Sequence, residues 1–358
     1  MNRGDDRQVA WIVGFGGRTA VGSWAVASSA AVRAGISTFA QHPFMISKDG
    51  LPMIVARDRL LPAVALGIDR FIGLAVPAAS EAVAGLGGSD VGPLMLRTFL
   101  GLPANRPGLP PDLAPKLWDR IAKAIAPRVR AAGPEVFASG HSAGLMALEA
   151  ACRSIATGAA DLCLVGGIES YLEPETLEWL DKGGRLHSET ESWGLIPGEA
   201  AGFVVLASRA AAERLAVPVS GGILGVATAL EKNPLGVDEP CLGEGLTEAF
   251  DQALDALPSR DSKVDFMIWD MNGEPNRADE FGYTLVRRSN RFTDASNFWT
   301  PADCWGDVGA ASGPLFVILA LAAELRGYSK GPHTLVWTSS DGGERSAAVV
   351  RTGKFSGD

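Results

Sequence analysis

The sequence predicts an α/β protein built from two copies of one unit. Three observations carry this reading. Apolar runs of strand length alternate with helix-length segments, and glycines punctuate the joints. Both halves end in one order: a helix opening on small residues, an apolar strand, a glycine pair and a closing strand. Hydrophobic residues make up 47% of the 358 positions and glycine 43 of them, which suits a large core with tight strand–helix turns and excludes disorder. The length fits about two domain-sized units. The boundary falls within 209–217, which divides the chain into halves 1–215 and 216–358.

In the first half, residues 9–17 form an apolar run closing in glycines, a buried strand and turn. Its GxGG lacks the third spaced glycine and a well-placed acid, so it is a weak dinucleotide signal. A helix follows over 23–34 and stops at Gly35. Residues 36–62 read as loop and short strands. A second helix starts at Pro77, a tolerated first-turn proline, and ends by Gly85. Residues 94–102 read as a strand, and a proline-rich loop leads to a helix over 113–132, broken or kinked at Pro127. Then come a strand over 136–139, a tight turn over 140–144 and a helix over 145–157. A strand over 160–165 is closed by Gly166-Gly167. An acidic loop runs to Pro197, and a strand over 198–206 precedes a short helix ending near Leu215.

The second half repeats the pattern. Residues 218–230 read as strand, 245–257 as helix and 264–269 as buried strand. Residues 309–325 read as a helix opening on small residues. A strand over 333–337, a turn at Gly342-Gly343 and a strand over 346–351 complete the half. Trp269 and Trp337 lie in apolar runs and are expected in the core. Trp193, Trp299 and Trp305 lie in loops, where exposed aromatics can anchor a partner.

Composition removes several function classes. The net charge is −9, and the basic groups Arg128/Arg130 and Arg287-Arg288/Arg291 are short and interrupted, so they read as solvated faces and no nucleic-acid partner is expected. Cys152, Cys163, Cys241 and Cys304 form no CxxC pair and have no histidine at a zinc-ligand interval. A reducing, cytoplasmic setting is the simpler expectation, with neither metal nor cofactor. The first residues, Met1 to Asp6, show no signal-peptide pattern. Residues 308–325 approach membrane-spanning length, but they begin with small residues and contain Pro314, so a buried helix is expected and no membrane partner.

Chemistry concentrates at 140–144, Gly-His-Ser-Ala-Gly. This matches GxSxG, a nucleophile elbow, in a strand–turn–helix context. On its own it points to an acyltransferase or hydrolase in which Ser142 attacks an acyl carbonyl at a helix N-terminus. A serine needs a base. Only His187 and His333 lie downstream, one in an acidic loop and one opening a strand. The alternative is that the small residues merely allow close helix packing.

The stretch 136–215 resembles the β-ketoacyl synthases of the thiolase superfamily. The matching residues are Gly144-Leu145, Gly158, Ala160-Asp161, Gly166-Gly167-Ile168-Glu169 and Pro197-Gly198-Glu199-Ala200-Ala201-Gly202. Gly14-Phe15-Gly16 and Ala20-Val21-Gly22 fit the N-terminal strand and its turn. Gly309-Ala310-Ala311-Ser312-Gly313 and Gly342-Gly343 fit the second half. The resemblance implies a thiolase-like fold, two α/β halves in an αβαβα sandwich, and a dimer whose sheets meet edge to edge. It also implies that His141 stands where the nucleophilic cysteine belongs, Asn272 where one catalytic histidine belongs, and Gly306 where the other belongs. A lysine of the family falls near Pro301.

Condensation needs a thiolate and two imidazole donors that stabilise an enolate. Glycine offers no side-chain donor, and Asn272 can donate but cannot exchange a proton. No residue is therefore expected to be catalytic with confidence. His141 is expected to fill the vacated site, Glu199 to be a structural carboxylate, and Asp279-Glu280 to be solvated loop charge. The expected function is a scaffold or adaptor. Its expected partner is a second copy, a thiolase-fold synthase, an acyl carrier protein or a secreted effector, the last in a bacterial toxin-delivery locus. An acyltransferase using Ser142 and an acyl-chain or small-ligand sensor are the alternatives.

Overall fold

The computed structural model describes residues 10–86 and 94–353; Met1 to Asp6 and the expected strand start at Val9 lie outside them. Strand β1 (Ala10–Thr19) leads into helix α1 (Ala25–Arg33), which stops at Gly35 with φ +65°. Strands β2 (Phe39–Ile46) and β3 (Pro52–Ala56) pair as a hairpin. Helix α2 (Ile68–Ala82) begins nine residues before the expected start and carries Pro77 inside it. The reason is packing: Phe71, Leu74, Ala75, Ala78, Ala79 and Ala82 form one buried stripe at helical spacing, which outweighs the proline. Strand β4 (Leu94–Gly101) precedes α3 (Leu113–Ile125). Of the two alternatives at Pro127 the structure has the break: the helix ends before it, and the residues beyond become β5 (Val129–Ala131), parallel to β4.

Strand β6 (Glu135–Phe137) runs through a 3-10 turn at Gly140–Ser142 into α4 (Ala143–Ala156). Strand β7 (Leu162–Ser170) does not stop at its glycine pair but continues through it. A β-carbon on Gly166 would meet the Phe203 ring, and one on Gly167 the Ala310 carbonyl, so these glycines admit close neighbours and do not end the strand. The acidic loop contains α5 (Pro174–Lys182). Strand β8 (Glu199–Ala207) and α6 (Arg209–Leu215) follow. The remainder comprises β9 (Gly221–Leu230), α7 (Glu244–Leu254), β10 (Phe266–Trp269), α8 (Pro275–Arg288), β11 (Phe298–Trp299), α9 (Ala302–Trp305), α10 (Ser312–Leu325), β12 (His333–Ser339) and β13 (Glu344–Arg351).

The main sheet has the order β11-β10-β12-β13-β9-β1-β8-β7-β4-β5, with β6 also on β4. The connectivity reads alike from the middle outwards. On one arm β8 lies antiparallel to β1 and β7, and β4 is parallel to β7. On the other, β13 lies antiparallel to β9 and β12, and β10 is parallel to β12. The arms join where Ala10, Trp11 and Ile12 pair with Ile223, Gly222 and Gly221.

Alternate strand residues enter different cores, as a two-residue period requires when both faces are covered. Ile12, Val204 and Val336 face a central core with Leu145 and Leu148 of α4 and Leu315 and Ile318 of α10. Val13, Phe203 and Val205 face α2 and α3. Leu335 and Trp337 face α7 and α8. The layers are α-β-α-β-α. Trp269 and Trp337 are core, as expected. Trp305 is also core, because α9 folds it against the central cluster, and Trp299 packs on Phe266. Of the three tryptophans expected as anchors, Trp193 stays well exposed. All four cysteines are free. No helix among the described residues is long and apolar enough to cross a membrane.

Candidate functional site

The 3-10 turn before α4 places His141 and Ser142 beneath the β12–β13 turn, and both are buried. Gly140, with φ +72°, makes the bend. The two side chains diverge. Ser142 Oγ lies 3.0 Å from the Thr338 carbonyl and 2.9 Å from that of Glu344, and its N–H donates to Ser340 Oγ at 2.8 Å. His187 Nδ1 lies near the Ser192 carbonyl, and His333 opens β12. Neither histidine bonds Ser142 among the described residues, so the hydroxyl has no base.

His141 turns the other way. Its Nε2 lies 2.9 Å from each carboxylate oxygen of Asp307, which puts the proton on that nitrogen. Asn272 Nδ2 donates to the same carboxylate at 2.6 Å and to Glu274 at 3.0 Å. Arg277 Nη1 donates to Asp270 and to the Ser339 carbonyl, and its Nη2 lies 3.2 Å from His141 Nε2. Arg185 forks onto Glu274 and also reaches Asp341 at 2.7 Å. The network thus ties groups from both halves of the chain.

Burial alone would lower the His141 pKa, but Asp307 reverses that and raises it, with Arg277 opposing. Burial alone would raise Asp307; His141, Arg277 and Asn272 together hold it well below the usual carboxylate range. Each shift favours the charged form of its group, so the two compensate one another.

The structure brings His141, Asn272 and Gly306 to one place, with Asp307 bridging the first two. Gly306 has φ +74°, and a β-carbon there would lie 2.7 Å from the Ile196 carbonyl, so this backbone admits no side chain. Pro301 caps α9. Glu199 is a buried carboxylate bound by Arg70 and by the Asp58 N–H at 2.8 Å. Glu280 corrects an expectation: α8 turns it inward onto Arg345, whereas Asp279 faces solvent.

Sequence reasoning missed Asp307, Arg277, Arg185, Arg106 and Asp341. Arg277 rides on α8, whose ends carry ordinary helix signals, Pro275 at the start and Arg287-Arg288 in the last turn. Arg106 lies in the loop after β4 and meets Glu169 at 2.5 Å. A cavity of about 330 Å³ opens beside His141, between Arg106, Tyr171, Trp179, Arg185 and Asp341. One cluster has metal-ligand composition: Glu231, Cys241 and Glu280 lie within 4.8 Å. Glu280 is already paired with Arg345, and burial, with Glu280 beside it, pushes the Cys241 thiol up to about 11.

The family model described as beta-ketoacyl synthase, N-terminal domain, matches residues 109–212, the stretch that carries this turn and α4. Over that stretch the chain is similar to the β-ketoacyl synthases. Its fold is similar to that of the oxazolomycin ketosynthase domain of Streptomyces albus, with a TM-score of 0.78 at 15% identity, covering 97% of this chain and 74% of that one. It is also similar to the ishigamide ketosynthase/chain length factor, with a TM-score of 0.77 at 19% identity, covering 96% and 99%. A third similar structure is a type II polyketide ketosynthase bound to hexaketide and in complex with its acyl carrier protein, with a TM-score of 0.76 at 16% identity, covering 96% and 99%. At these identities the likeness establishes the ketosynthase fold. No curated protein is significantly similar in sequence.

Proposed function

We propose that this ketosynthase-like chain is non-catalytic and acts by binding, as a scaffold or adaptor for a thiolase-fold enzyme or its acyl carrier protein. One observation carries the reading. The place of the expected nucleophile holds a buried imidazole whose Nε2 is committed to Asp307, itself bound by Asn272. With its proton turned to Asp307, Nε2 has no lone pair for attack. Condensation also lacks its second donor, because Gly306 has neither a side chain nor room for one. Ser142 does not substitute, since its hydroxyl is spent on two backbone carbonyls.

Two features support a partner of this kind. Among the similar folds are a ketosynthase/chain length factor and a ketosynthase in complex with a carrier protein. Strand β6 pairs with β4 alone among the described residues, which leaves its outer edge open to a strand from a second chain. We place the working division between halves at 215/216. The reading is tested by incubation with acetyl-CoA and malonyl-loaded carrier protein. No carbon dioxide release and no ketoacyl product are expected; turnover above an enzyme-free control would refute the proposal.

A further inference from the structure

We infer that the cavity beside His141 is a binding site for a small carboxylate, held by Arg106 and Tyr171 with the His141 ring beside them. The inference rests on the non-catalytic reading, because it takes the place of the expected nucleophile as part of a binding wall. The three side chains are at least nine-tenths buried: 4% exposed for His141, 5% for Arg106 and 6% for Tyr171. Each still has a polar atom without a hydrogen bond among the described residues: His141 Nδ1, Arg106 Nη1 and Tyr171 Oη. None of these atoms is among the sealed, partnerless ones, and all three residues line the cavity. Arg106 and Tyr171 thus open donors, and His141 a ring nitrogen, onto one space.

An unmade hydrogen bond on a buried donor is costly, so such groups are rarely left idle. The set calls for clustered acceptor oxygens, which a carboxylate supplies. Arg106 is held for the task. Its Nη2 donates to Glu169 at 2.5 Å and to the Ser170 carbonyl at 2.8 Å, and its guanidinium stacks 4.3 Å from the Tyr171 ring centre. Asp341, the cavity's own carboxylate, is occupied by Arg185 and leaves these donors unclaimed. Trp179, Leu180 and Leu195 form an apolar wall for a short alkyl tail. A volume of about 330 Å³ sits at the small end of the roughly 300–1,000 Å³ of ligand pockets, which selects a short acid.

The test is isothermal titration of the full chain with butyrate and, separately, with butyramide, its neutral isostere. Butyrate is expected to bind, and butyramide to bind at least about tenfold more weakly because it forfeits the charge-assisted bonds. Tyr171→Phe removes a hydroxyl that bonds nothing in the protein; it is expected to weaken butyrate about tenfold while leaving the melting temperature unchanged. Arg106→Gln is expected to abolish binding. No heat with butyrate, equal affinity for both compounds, or an unaltered Tyr171→Phe affinity would each overturn the inference, the first meaning that the donors hold water alone. Failure of the non-catalytic reading is separately visible, as acyl transfer from a thioester, which butyrate is not.

Discussion

Asp307→Asn replaces a buried carboxylate by an amide of nearly the same shape, so it tests charge and not packing. Asp307 is 3% exposed, and its oxygens lie 2.9 Å from His141 Nε2, 2.6 Å from Asn272 Nδ2 and 2.8 Å from the Gly309 N–H. The substitution leaves His141 without its anion, whereas Arg277 keeps Asp270. Breaking a buried ion pair from one side costs about 3–5 kcal/mol. Unfolding entropy of roughly 2.1 cal/mol/K per residue gives about 0.75 kcal/mol/K for the 358-residue chain, so a loss of about 4 kcal/mol lowers the melting temperature by about 5 °C. The assay is differential scanning calorimetry at several pH values, with the His141 ring followed by NMR. With Asp307 gone, burial dominates and His141 titrates below its ordinary value. The variant therefore gains stability as pH rises from the lowered folded-state value towards 6.5 and levels off above it, whereas the His141 contribution in the parent declines as pH rises above 6.5. A melting temperature within about 1 °C of the parent, or a His141 pKa that does not fall, would refute the reasoning.

Further outcomes follow from the same geometry. In the parent, the raised His141 pKa contributes stability that is full below 6.5 and is lost as pH rises through the folded-state value. The lowered Asp307 pKa contributes stability present above 3.8 and lost as pH falls through its folded-state value; urea midpoints across pH read both, and His141→Gln should remove the alkaline slope. Ser142→Ala costs about 1–2 kcal/mol by urea unfolding, from the lost bonds to the Thr338 and Glu344 carbonyls, and alters no acyl chemistry. The triple change His141→Cys, Asn272→His and Gly306→His does not restore condensation, because position 306 requires φ +74° and abuts the Ile196 carbonyl; Gly306→His alone costs at least about 1–3 kcal/mol, measured by the same unfolding.

Much of the fold was legible because the strands carry apolar runs and the joints carry glycines. The repeated order of helix, strand and antiparallel strand corresponds to α4-β7-β8, with α5 between the strands, and to α10-β12-β13; only the second half has its glycine pair at the joint. What misled was local punctuation read without its neighbours. Pro77 marked a helix start only until the buried stripe from Phe71 to Ala82 was formed against the sheet. Gly166-Gly167 looked like a turn because nothing in the sequence says that Phe203 and Ala310 lie against them. At the site, His141, Asn272 and Gly306 are recognisable because they sit at motif positions. Asp307 and Arg277 are not, since their roles arise from contacts across 166 and 136 residues of chain. Trp305 read as a loop aromatic because α9 is a single turn, too short to leave a period.

The central claim is that the nucleophile position is closed by the His141–Asp307 pair and is not replaced by Ser142. Intact-mass measurement after incubation with acyl-CoA and acyl-loaded carrier protein tests it most directly. The account predicts an unmodified chain mass for the parent and for Ser142→Ala alike. A stable acyl adduct on the parent that disappears in Ser142→Ala, or in His141→Gln, would contradict it.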